Sequence, residues 1–322
     1  MGSILEMWEG FVRATEAAAI AASSWRGKGD GKAADGAAVE AMRGVLNGLP
    51  MDGRIAIGEG ERDEAPMLWI GEKLGTFAGD ESAFGVDIAV DPLECTSNCA
   101  LNRPNSIAVL AAAPRGALLH APDTYMDKMA SSSALRGEVS LDAGPSANVE
   151  SAAEVLNVPI QDVRVTVLDR PRHSDLIAEL RSQGVSLTLI DDGDISAAIE
   201  AVRGDGTDLL LGIGAAPEGV ISAVASMALD GVFEGRLKFR DDGDRARAST
   251  MLPDVDLDRM WSNTDLCTSN DALFVATGVC EGYLPGVTSS DEGHMTHSEV
   301  LATMDGSERH LSSFHPRVFE NT

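Results

Sequence analysis

Residues 163–229 read VRVTVLDRPRHSDLIAELRSQGVSLTLIDDGDISAAIEAVRGDGTDLLLGIGAAPEGVISAVASMAL. Strand-like runs such as VRVTVL (163–168) and VSLTLI (185–190) alternate here with helix-like runs such as DISAAIEAVRG (194–204). Short apolar runs are typical of buried strands, and longer runs with apolar residues every three or four positions are typical of helices. The alternation predicts a Rossmann-like α/β half with a doubly wound parallel sheet.

The first half of the chain has a different pattern. Two alanine-rich stretches with helical spacing, 4–24 and 33–47, come before three short strand-like runs, and a further helix is predicted at 66–74. We therefore predict an N-terminal α+β domain over 1–155 and a C-terminal α/β domain over 156–322. The three strand-like runs are RIAI (54–57), VDIAV (86–90) and SIAVL (106–110).

Two segments lack a clear pattern. Residues 238–258 are polar and charged, which favours an insertion or a mobile excursion, and the segment from about residue 290 is polar and poorly patterned.

The net charge limits the kinds of partner that the chain is expected to bind. The chain has 25 basic and 51 acidic residues, which gives a formal charge of −26, and its basic residues are five lysines and 20 arginines. Such a surface repels phosphate backbones and anionic lipid, so we expect no nucleic-acid or membrane partner. Because the acidic excess is spread along the chain, we expect a lysine-poor surface suited to high salt or to a strong solubility demand.

Cysteine usage and the N-terminus predict a cytoplasmic protein. The four cysteines show neither a disulfide framework nor a CxxC pair. The N-terminal residues lack a basic region followed by an apolar run, and no stretch has the roughly 18 apolar residues of a membrane span. Reduced thiols in a cytoplasmic protein are therefore expected.

Three loops follow the predicted strands of the second half: 169–173 (DRPRH), 191–194 (DDGD) and 212–219 (GIGAAPEG). Ligands of parallel sheets bind beyond the carboxyl ends of the strands. Arginine suits phosphate, and aspartate accepts hydrogen bonds from sugar hydroxyls. Taken singly, DGD is typical of a helix cap and an arginine pair of a solvated face. Three such loops at one edge favour a binding site.

The first half has a second set of acidic residues, in GEGERDEAP (58–66) and DIAVDPLECTSNCA (87–100). Carboxylates clustered after a strand repel one another unless a cation is bound, and oxygen ligands suit Mg²⁺ or Mn²⁺. An acidic surface loop is the alternative. Against it, Asp91 and Glu94 follow a strand that is apolar enough to be buried, and Pro92 fixes the turn between them.

These motifs together resemble the class II fructose-1,6-bisphosphatase family, which is related more distantly to the inositol-monophosphatase-like sugar phosphatases. The resemblance runs from about Arg13 to Gly286 and implies a layered sugar-phosphatase fold. It also implies a phosphoric monoester hydrolase that removes the 1-phosphate of fructose 1,6-bisphosphate, and in photosynthetic members that of sedoheptulose 1,7-bisphosphate. The motifs that carry it, in order, are GKGD with KAAD, IGEGERDEAPM, DIAVDPLE, APDTYM, DRPRH, DGD and GIGAAPEG.

The resemblance assigns roles to individual positions. About two Mg²⁺ or Mn²⁺ ions are expected, with direct in-line attack of an activated water on the phosphate, and a homodimer or homotetramer is expected. Catalytic roles fall on Glu59, Asp63 and Thr96. The implied metal ligands are Asp35, Glu59, Asp91, Glu94 and Glu218. The implied substrate contacts are Glu94, Cys95, Thr96, Tyr125, Arg170, Pro171, Arg172, Asp192, Gly193, Asp194 and Ala215.

Two positions depart from the family pattern. Cys95 stands where the family has glycine, and Gly31 stands where it usually has lysine. A positive φ at residue 95 would cost about 1 kcal/mol of strain. These departures leave a second hypothesis open, a catalytically weakened homologue that binds a sugar phosphate or a protein partner. Cys95 and Cys99 also raise the hypothesis of a redox switch, with two inert thiols as the alternative.

Overall fold

The computed structural model describes residues 2–60 and 67–317. The chain forms two compact units. Unit 1 comprises Met1–Gly116 and Asp271–Thr322, and unit 2 comprises Ala117–Asn270. None of the helices in the described ranges is both long enough and apolar enough to span a lipid bilayer.

The helices are α1 (Trp8–Ser23), α2 (Gly31–Asn47), α3 (Thr96–Leu101), α4 (Pro145–Leu156), α5 (Ser174–Gln183), α6 (Asp194–Arg203), α7 (Ala216–Ala228), α8 (Asp242–Met251) and α9 (Asn263–Leu266). The strands are β1 (Asp52–Ile57), β2 (Lys73–Leu74), β3 (Gly85–Glu94), β4 (Ile107–Pro114), β5 (Tyr125–Ser131), β6 (Arg164–Leu168), β7 (Ser186–Ile190), β8 (Leu209–Ala215), β9 (Val232–Lys238), β10 (Trp261–Ser262), β11 (Leu273–Gly278), β12 (Thr288–Ser289), β13 (Gly293–Ala302) and β14 (Glu308–Pro316).

Unit 1 is built on a mixed sheet with the strand order β12-β13-β11-β4-β3-β1-β2, and β14 pairs with β13. Strands β1 and β3 are parallel, whereas β4, β11, β13 and β14 extend the sheet by antiparallel pairing. Apolar residues of α1 and α2, including Phe11 and Met42, form a buried cluster with strand residues such as Ile88 and Val275. The two early helices and the three strands predicted for this half are confirmed.

The helix predicted at 66–74 is wrong for the part that the structure describes. Residues 67–72 form turns, and Lys73 and Leu74 form β2, which pairs with β1. The carboxylate of Glu72 accepts the Leu68 N–H at 2.5 Å and pairs with Arg43 at 2.6 Å. The pairing of β2 with β1 and the ion pair of Glu72 with Arg43 join residues far apart in the sequence, and they outweigh the local helical spacing.

Residues 293–316 form a long hairpin, although the sequence from about residue 290 is polar and poorly patterned. Strands β13 and β14 pair antiparallel in continuous register from Gly293 with Pro316 to Leu301 with Glu308. Exposed and partly buried residues alternate along β14, as expected for a strand with one solvent-facing side. The many serine and histidine residues hid this period of two.

Unit 2 is built on a six-stranded sheet with the order β10-β9-β5-β8-β6-β7. Strands β6, β7 and β8 are parallel, and helices α5, α6 and α7 follow them in turn, so the predicted alternation is confirmed. The sheet is mixed overall, because β5 pairs antiparallel with both β8 and β9. Within the segment 238–258, residues Asp242–Met251 form α8, whose N-cap Asp241 accepts the Asp244 N–H.

The division into units differs from the boundary predicted near residue 155. That residue lies in α4 of unit 2, and the chain returns to unit 1 at Asp271. The reason is strand pairing, since β11 lies between β4 and β13 in the first sheet. A reading along the sequence shows neither pairing.

Asp244 anchors α8, and the Asp244→Asn variant is expected to lose about 2 kcal/mol of stability at pH 7. Its buried carboxylate accepts hydrogen bonds from Arg240, at 2.5 Å, and from Thr124, and it pairs with Arg247. The Arg240 guanidinium and these hydrogen bonds lower the pKa of Asp244 from 3.8 to about 2.

Because the folded pKa lies below the unfolded one, this stabilisation is present above pH 4 and is lost as the pH falls through about 2. Thermal unfolding of both proteins between pH 2 and pH 7 checks the prediction. A stability difference that does not shrink toward pH 2 would contradict it.

Candidate functional site

In unit 1, the end of β3 is irregular and carries two of the predicted ligands, Asp91 and Glu94. The register with β4 shifts between them, so an extra residue bulges out next to Pro92. Asp91 Oδ1 accepts the Leu93 N–H at 3.2 Å, and Glu94 is 4% exposed. The bulge lets the chain turn from a strand into α3 directly after Glu94.

Residue 95 makes that turn in the left-handed conformation. Cys95 has φ 62° and ψ 47°, and it is buried at the N-cap of α3. Cys95 therefore has the positive φ that strains a residue other than glycine. Thr96, the next residue, donates its hydroxyl hydrogen to the carbonyl of Leu93 at 2.9 Å, which closes the turn.

The Cys95→Gly variant is expected to be more stable than the parent by about 0.5–1 kcal/mol, because glycine adopts positive φ without the clash that a Cβ causes. Asn102, with φ 52° at the other end of α3, provides a matched control. Asparagine tolerates this conformation better than cysteine, so Asn102→Gly should change stability less. Urea unfolding of the three proteins measures this, and a Cys95→Gly variant less stable than the parent would contradict it.

The start of α2 packs against the same turn. A Cβ at Gly31 would lie 3.0 Å from Cγ2 of Thr96, so a larger side chain here would press on the predicted catalytic threonine. The loop before it is tied to α3 by the Gly27 and Gly29 N–H groups, which donate to the carbonyls of Cys99 and Ala100. A larger side chain at position 31 would have to share this space with Thr96.

Asp35 and Glu59 lie on neighbouring elements of unit 1. Asp35 is half-buried on α2, and burial raises its pKa. Glu59 follows β1, which runs parallel to β3 with Ile57 opposite Ala89. Glu59, just after β1, and Asp91, near the end of β3, therefore lie at the same end of these two strands.

Most of the GEGERDEAP motif (58–66) lies outside the described residues. Asp63, with its neighbours Glu61 and Glu64, falls in residues 61–66, outside the described residues. Asp87 of the DIAVDPLE motif has another role, since its fully buried carboxylate binds Arg54 and Arg115.

In unit 2, the remaining predicted ligand, Glu218, lies in the first turn of α7. Its Oε2 is removed from solvent and has no hydrogen-bond partner among the described residues. The pKa of Glu218 is raised to about 7, mainly by burial and also by Asp194 and Asp192, although Lys128 lowers it. A buried carboxylate oxygen without a donor fits a hard cation, so Glu218 meets the requirement for a Mg²⁺ or Mn²⁺ ligand.

The DGD loop does not form the helix cap that was its simpler interpretation. The N-cap of α6 is Gly193, with φ 95° and no side-chain cap. Asp192 Oδ1 accepts the Gly193 N–H, and burial raises the pKa of Asp192. Asp194 pairs with the buried Lys128 at 2.7 Å.

The predicted phosphate contacts of unit 2 surround Tyr125. The Arg172 guanidinium lies 4.7 Å from the centre of the Tyr125 ring, and its Nε and Nη2 donate to the carbonyl of Ile213 at 2.9 and 2.6 Å. Tyr125 pairs with Ala215 across β5 and β8, so the strand register places the two side by side. Arg170 is half-buried and donates to the carbonyl of Asp169, and Pro171 is exposed.

His173 joins its loop to β6 and β8 by hydrogen bonds. Its Nδ1 lies 2.6 Å from the Leu168 carbonyl, and its Nε2 accepts the Ile213 N–H at 2.7 Å. These partners fix a neutral imidazole with the proton on Nδ1, and burial lowers its pKa. Gly212, with φ 135°, leaves room for the ring.

Comparison with known families shows which family the chain belongs to. The family model described as "Bacterial fructose-1,6-bisphosphatase, glpX-encoded" matches residues 6–315. The chain belongs to this family.

Curated members of this fructose-1,6-bisphosphatase family are similar to the chain over nearly its whole length. A protein of Synechococcus sp. (strain JA-3-3Ab) is 44% identical, with 94% of each chain covered. One from Prochlorococcus marinus (strain NATL1A) is 42% identical over 93% of each chain, and one from Thermosynechococcus vestitus is 41% identical over 94%. Each is named D-fructose 1,6-bisphosphatase class 2/sedoheptulose 1,7-bisphosphatase.

Two cationic residues lie near the predicted substrate contacts of this bisphosphatase-family chain, and the sequence analysis did not identify them. Lys128 is buried beside Asp194, and the Arg240 guanidinium lies 5.8 Å from the Tyr125 ring centre. A single lysine within a strand and an arginine in a polar segment give no local signal.

In this family member, Cys99 has a thiol neighbour outside the Cys95–Cys99 pair of the redox hypothesis. Cys95 and Cys99 are both buried, and no disulfide forms within the described residues. The thiol neighbour of Cys99 is Cys280, whose hydrogen bond raises the pKa of Cys99 and lowers that of Cys280. The Cys95–Cys99 switch stays a hypothesis.

One further acidic group could hold a metal ion by its geometry. Ligand atoms of Glu299, Glu308 and His310 on the β13–β14 hairpin lie within 4.8 Å of one another. None of the three belongs to the ligand set predicted from the motifs. Tyr283 donates its hydroxyl hydrogen to Glu299.

Proposed function

We propose that the protein is a metal-dependent phosphatase that hydrolyses the 1-phosphate of fructose 1,6-bisphosphate to fructose 6-phosphate and phosphate. The observation that carries the proposal is Glu218, a carboxylate with one oxygen buried and without a hydrogen-bond donor, in the first turn of α7. Burying such a group is costly unless a cation binds it. A protein with no use for the metal would gain stability by losing this carboxylate.

The proposed metal ligands are Asp35, Glu59, Asp91 and Glu94 in unit 1 and Glu218 in unit 2, and the proposed metal is Mg²⁺ or Mn²⁺, with about two ions bound. When bound, such ions neutralise charge on the phosphoryl group and activate water at neutral pH. Thr96 is proposed to contact the phosphoryl oxygens, and its hydrogen bond to the Leu93 carbonyl fixes its rotamer. Asp63 is proposed to orient the attacking water.

The proposed binding residues of unit 2 recognise the other end of the substrate. Arg170 and Arg172 offer guanidinium donors to the distal phosphate, and stacking of Arg172 on Tyr125 limits its motion. Asp192 and Asp194 accept hydrogen bonds from sugar hydroxyls. The backbone of Cys95, Gly193 and Ala215 and the side chain of Pro171 complete the proposed contacts.

Phosphate release from a panel of sugar bisphosphates with Mg²⁺ or Mn²⁺ tests this function. We expect turnover of fructose 1,6-bisphosphate that stops when the metal is chelated and in the Glu59→Ala and Asp91→Ala variants. The relatives' names include sedoheptulose 1,7-bisphosphatase, so we propose that this seven-carbon substrate is also accepted. Comparing kcat/KM for the two substrates ranks them.

One outcome of the same experiment would favour the second hypothesis. The strained Cys95 lies between Glu94 and Thr96, where distortion could lower activity. A protein that binds fructose 6-phosphate but releases no phosphate from any bisphosphate would be a weakened homologue that acts by binding.

The cellular setting is also a proposal. We propose a cytoplasmic enzyme of gluconeogenesis or of the Calvin cycle that acts as a homodimer or homotetramer. Exposed apolar side chains such as Phe77, Leu101 and Phe314 are available for contact between copies. Light scattering of the purified protein measures the oligomeric state, and a monomer at micromolar concentration would contradict the assembly.

A further inference from the structure

Lys128 is a buried cation that the proposed function does not use. It lies in the middle of β5 and is 2% exposed. Removing an ammonium group from water costs several kcal/mol unless it is paired and hydrogen-bonded. Its Nζ lies 2.7 Å from Asp194 Oδ2, so the pair is both an ion pair and a hydrogen bond.

A glycine of the GIGAAPEG motif makes room for this pair. A Cβ at Gly214 would overlap Asp194 Oδ2 and would lie 2.9 Å from the Lys128 Nζ. The motif therefore shapes a slot for the Lys128 side chain and for the carboxylate that it holds.

Without Lys128, the Asp194 carboxylate would be free to turn toward the start of α6. It is the first residue of α6, where a short acidic side chain commonly turns to the N–H groups at the start of the helix. The N-cap residue, Gly193, has no side chain with which to cap this helix, and Asp194 contacts Lys128. A carboxylate has about four lone-pair sites, so one ion pair leaves capacity for further hydrogen bonds.

We propose that Lys128 is a positioning residue for the sugar subsite. It fixes Asp194 Oδ2, so that the rest of the carboxylate is held ready to accept a hydrogen bond from a sugar hydroxyl. The inference rests on the proposed function, in which Asp194 contacts the sugar. It predicts that Lys128 affects ligand affinity more than the chemical step, because Lys128 acts through Asp194 and not on the phosphate.

The test replaces Lys128 with methionine, which has a similar length and no charge. We expect Lys128→Met to raise the KM for fructose 1,6-bisphosphate at least tenfold and to change kcat by less than threefold. In a second measurement, the rise in Tm that fructose 6-phosphate causes in the parent should be lost. Lys73→Met makes the same chemical change at an exposed position of β2 and should behave like the parent.

Lys128→Gln keeps the proposal testable if the methionine variant unfolds, because the polar glutamine leaves Asp194 in a less apolar surrounding than methionine does. Glutamine carries no charge and its amide nitrogen lies one bond closer to the backbone than the lysine Nζ, so it should hold Asp194 less firmly than lysine. A folded Lys128→Gln with a raised KM supports the proposal. A parental KM in either folded variant overturns it, as does failure of both variants to fold, which would give Lys128 a role in stability alone.

The two proposals fail differently. A parent that releases no phosphate contradicts the proposed function. The thermal shift with fructose 6-phosphate still tests Lys128 in that case, and a shift that survives in Lys128→Met overturns the positioning role.

Discussion

Glu218→Gln is expected to lower kcat for phosphate release by roughly a thousandfold, the size of effect seen when one group that stabilises the transition state is removed. Glutamine has the shape of glutamate but lacks the charge that a divalent ion requires. The same change should leave the metal-free protein as stable as the parent or more stable. It removes a buried charge that Asp194 and Asp192 repel and whose Oε2 has no hydrogen-bond partner among the described residues.

The stability effect depends on pH in a definite direction. The folded pKa of Glu218 is raised from 4.5 to about 7, so its favourable contribution is complete below pH 4.5 and is lost as the pH rises through about 7. The advantage of Glu218→Gln in metal-free buffer should therefore grow between pH 5 and pH 8. Tm measured with a chelator across this range, together with kcat at saturating metal, checks both parts.

Glu200→Gln is the matched control. Glu200 is half-buried in α6, and burial raises its pKa too, but no part of the proposed site includes it. It should keep the parental kcat. A Glu218→Gln variant that retains kcat, or that melts below the parent without metal, would contradict the assignment of Glu218 as a ligand.

Gly58→Ala is expected to cost roughly 3 kcal/mol of stability and to weaken the stabilisation of the protein by Mn²⁺. A Cβ at Gly58 would overlap the carbonyl oxygen of Leu68, and that carbonyl accepts the Glu59 N–H at 3.0 Å. Both partners are backbone, so no side-chain rotation relieves the clash. The shift would move Glu59, which is a proposed metal ligand.

Gly44→Ala separates this effect from glycine substitution in general. Gly44 lies in α2, and a Cβ there would have no neighbour within 4 Å. Alanine should stabilise the helix by about 0.5–1 kcal/mol. Thermal unfolding with and without Mn²⁺ compares the two variants, and a Gly58→Ala protein with the parental Tm and metal response would refute the close approach.

The parallel strands β6, β7 and β8 and the helices after them could be predicted because each element is specified by neighbouring residues. The strand β13 and the turns at 67–72 could not, because they pack against partners farther away along the chain, β11 in the first case and β1 and Arg43 in the second. The return of residues 271–322 to unit 1 has the same cause. Hydrophobic spacing indicates that a strand exists, but not which strand it will pair with.

The candidate site also has features that the sequence predicts and features that depend on the tertiary structure. The sequence by itself determined the chemistry, since its motifs name the carboxylates, the arginines and the glycines together with their order. Only the tertiary structure decided why those glycines stand there and which cation faces Asp194. The reason is physical: Lys128 is 66 residues from Asp194 along the chain, and the two charges affect each other only after β5 and α6 pack together and exclude water between them.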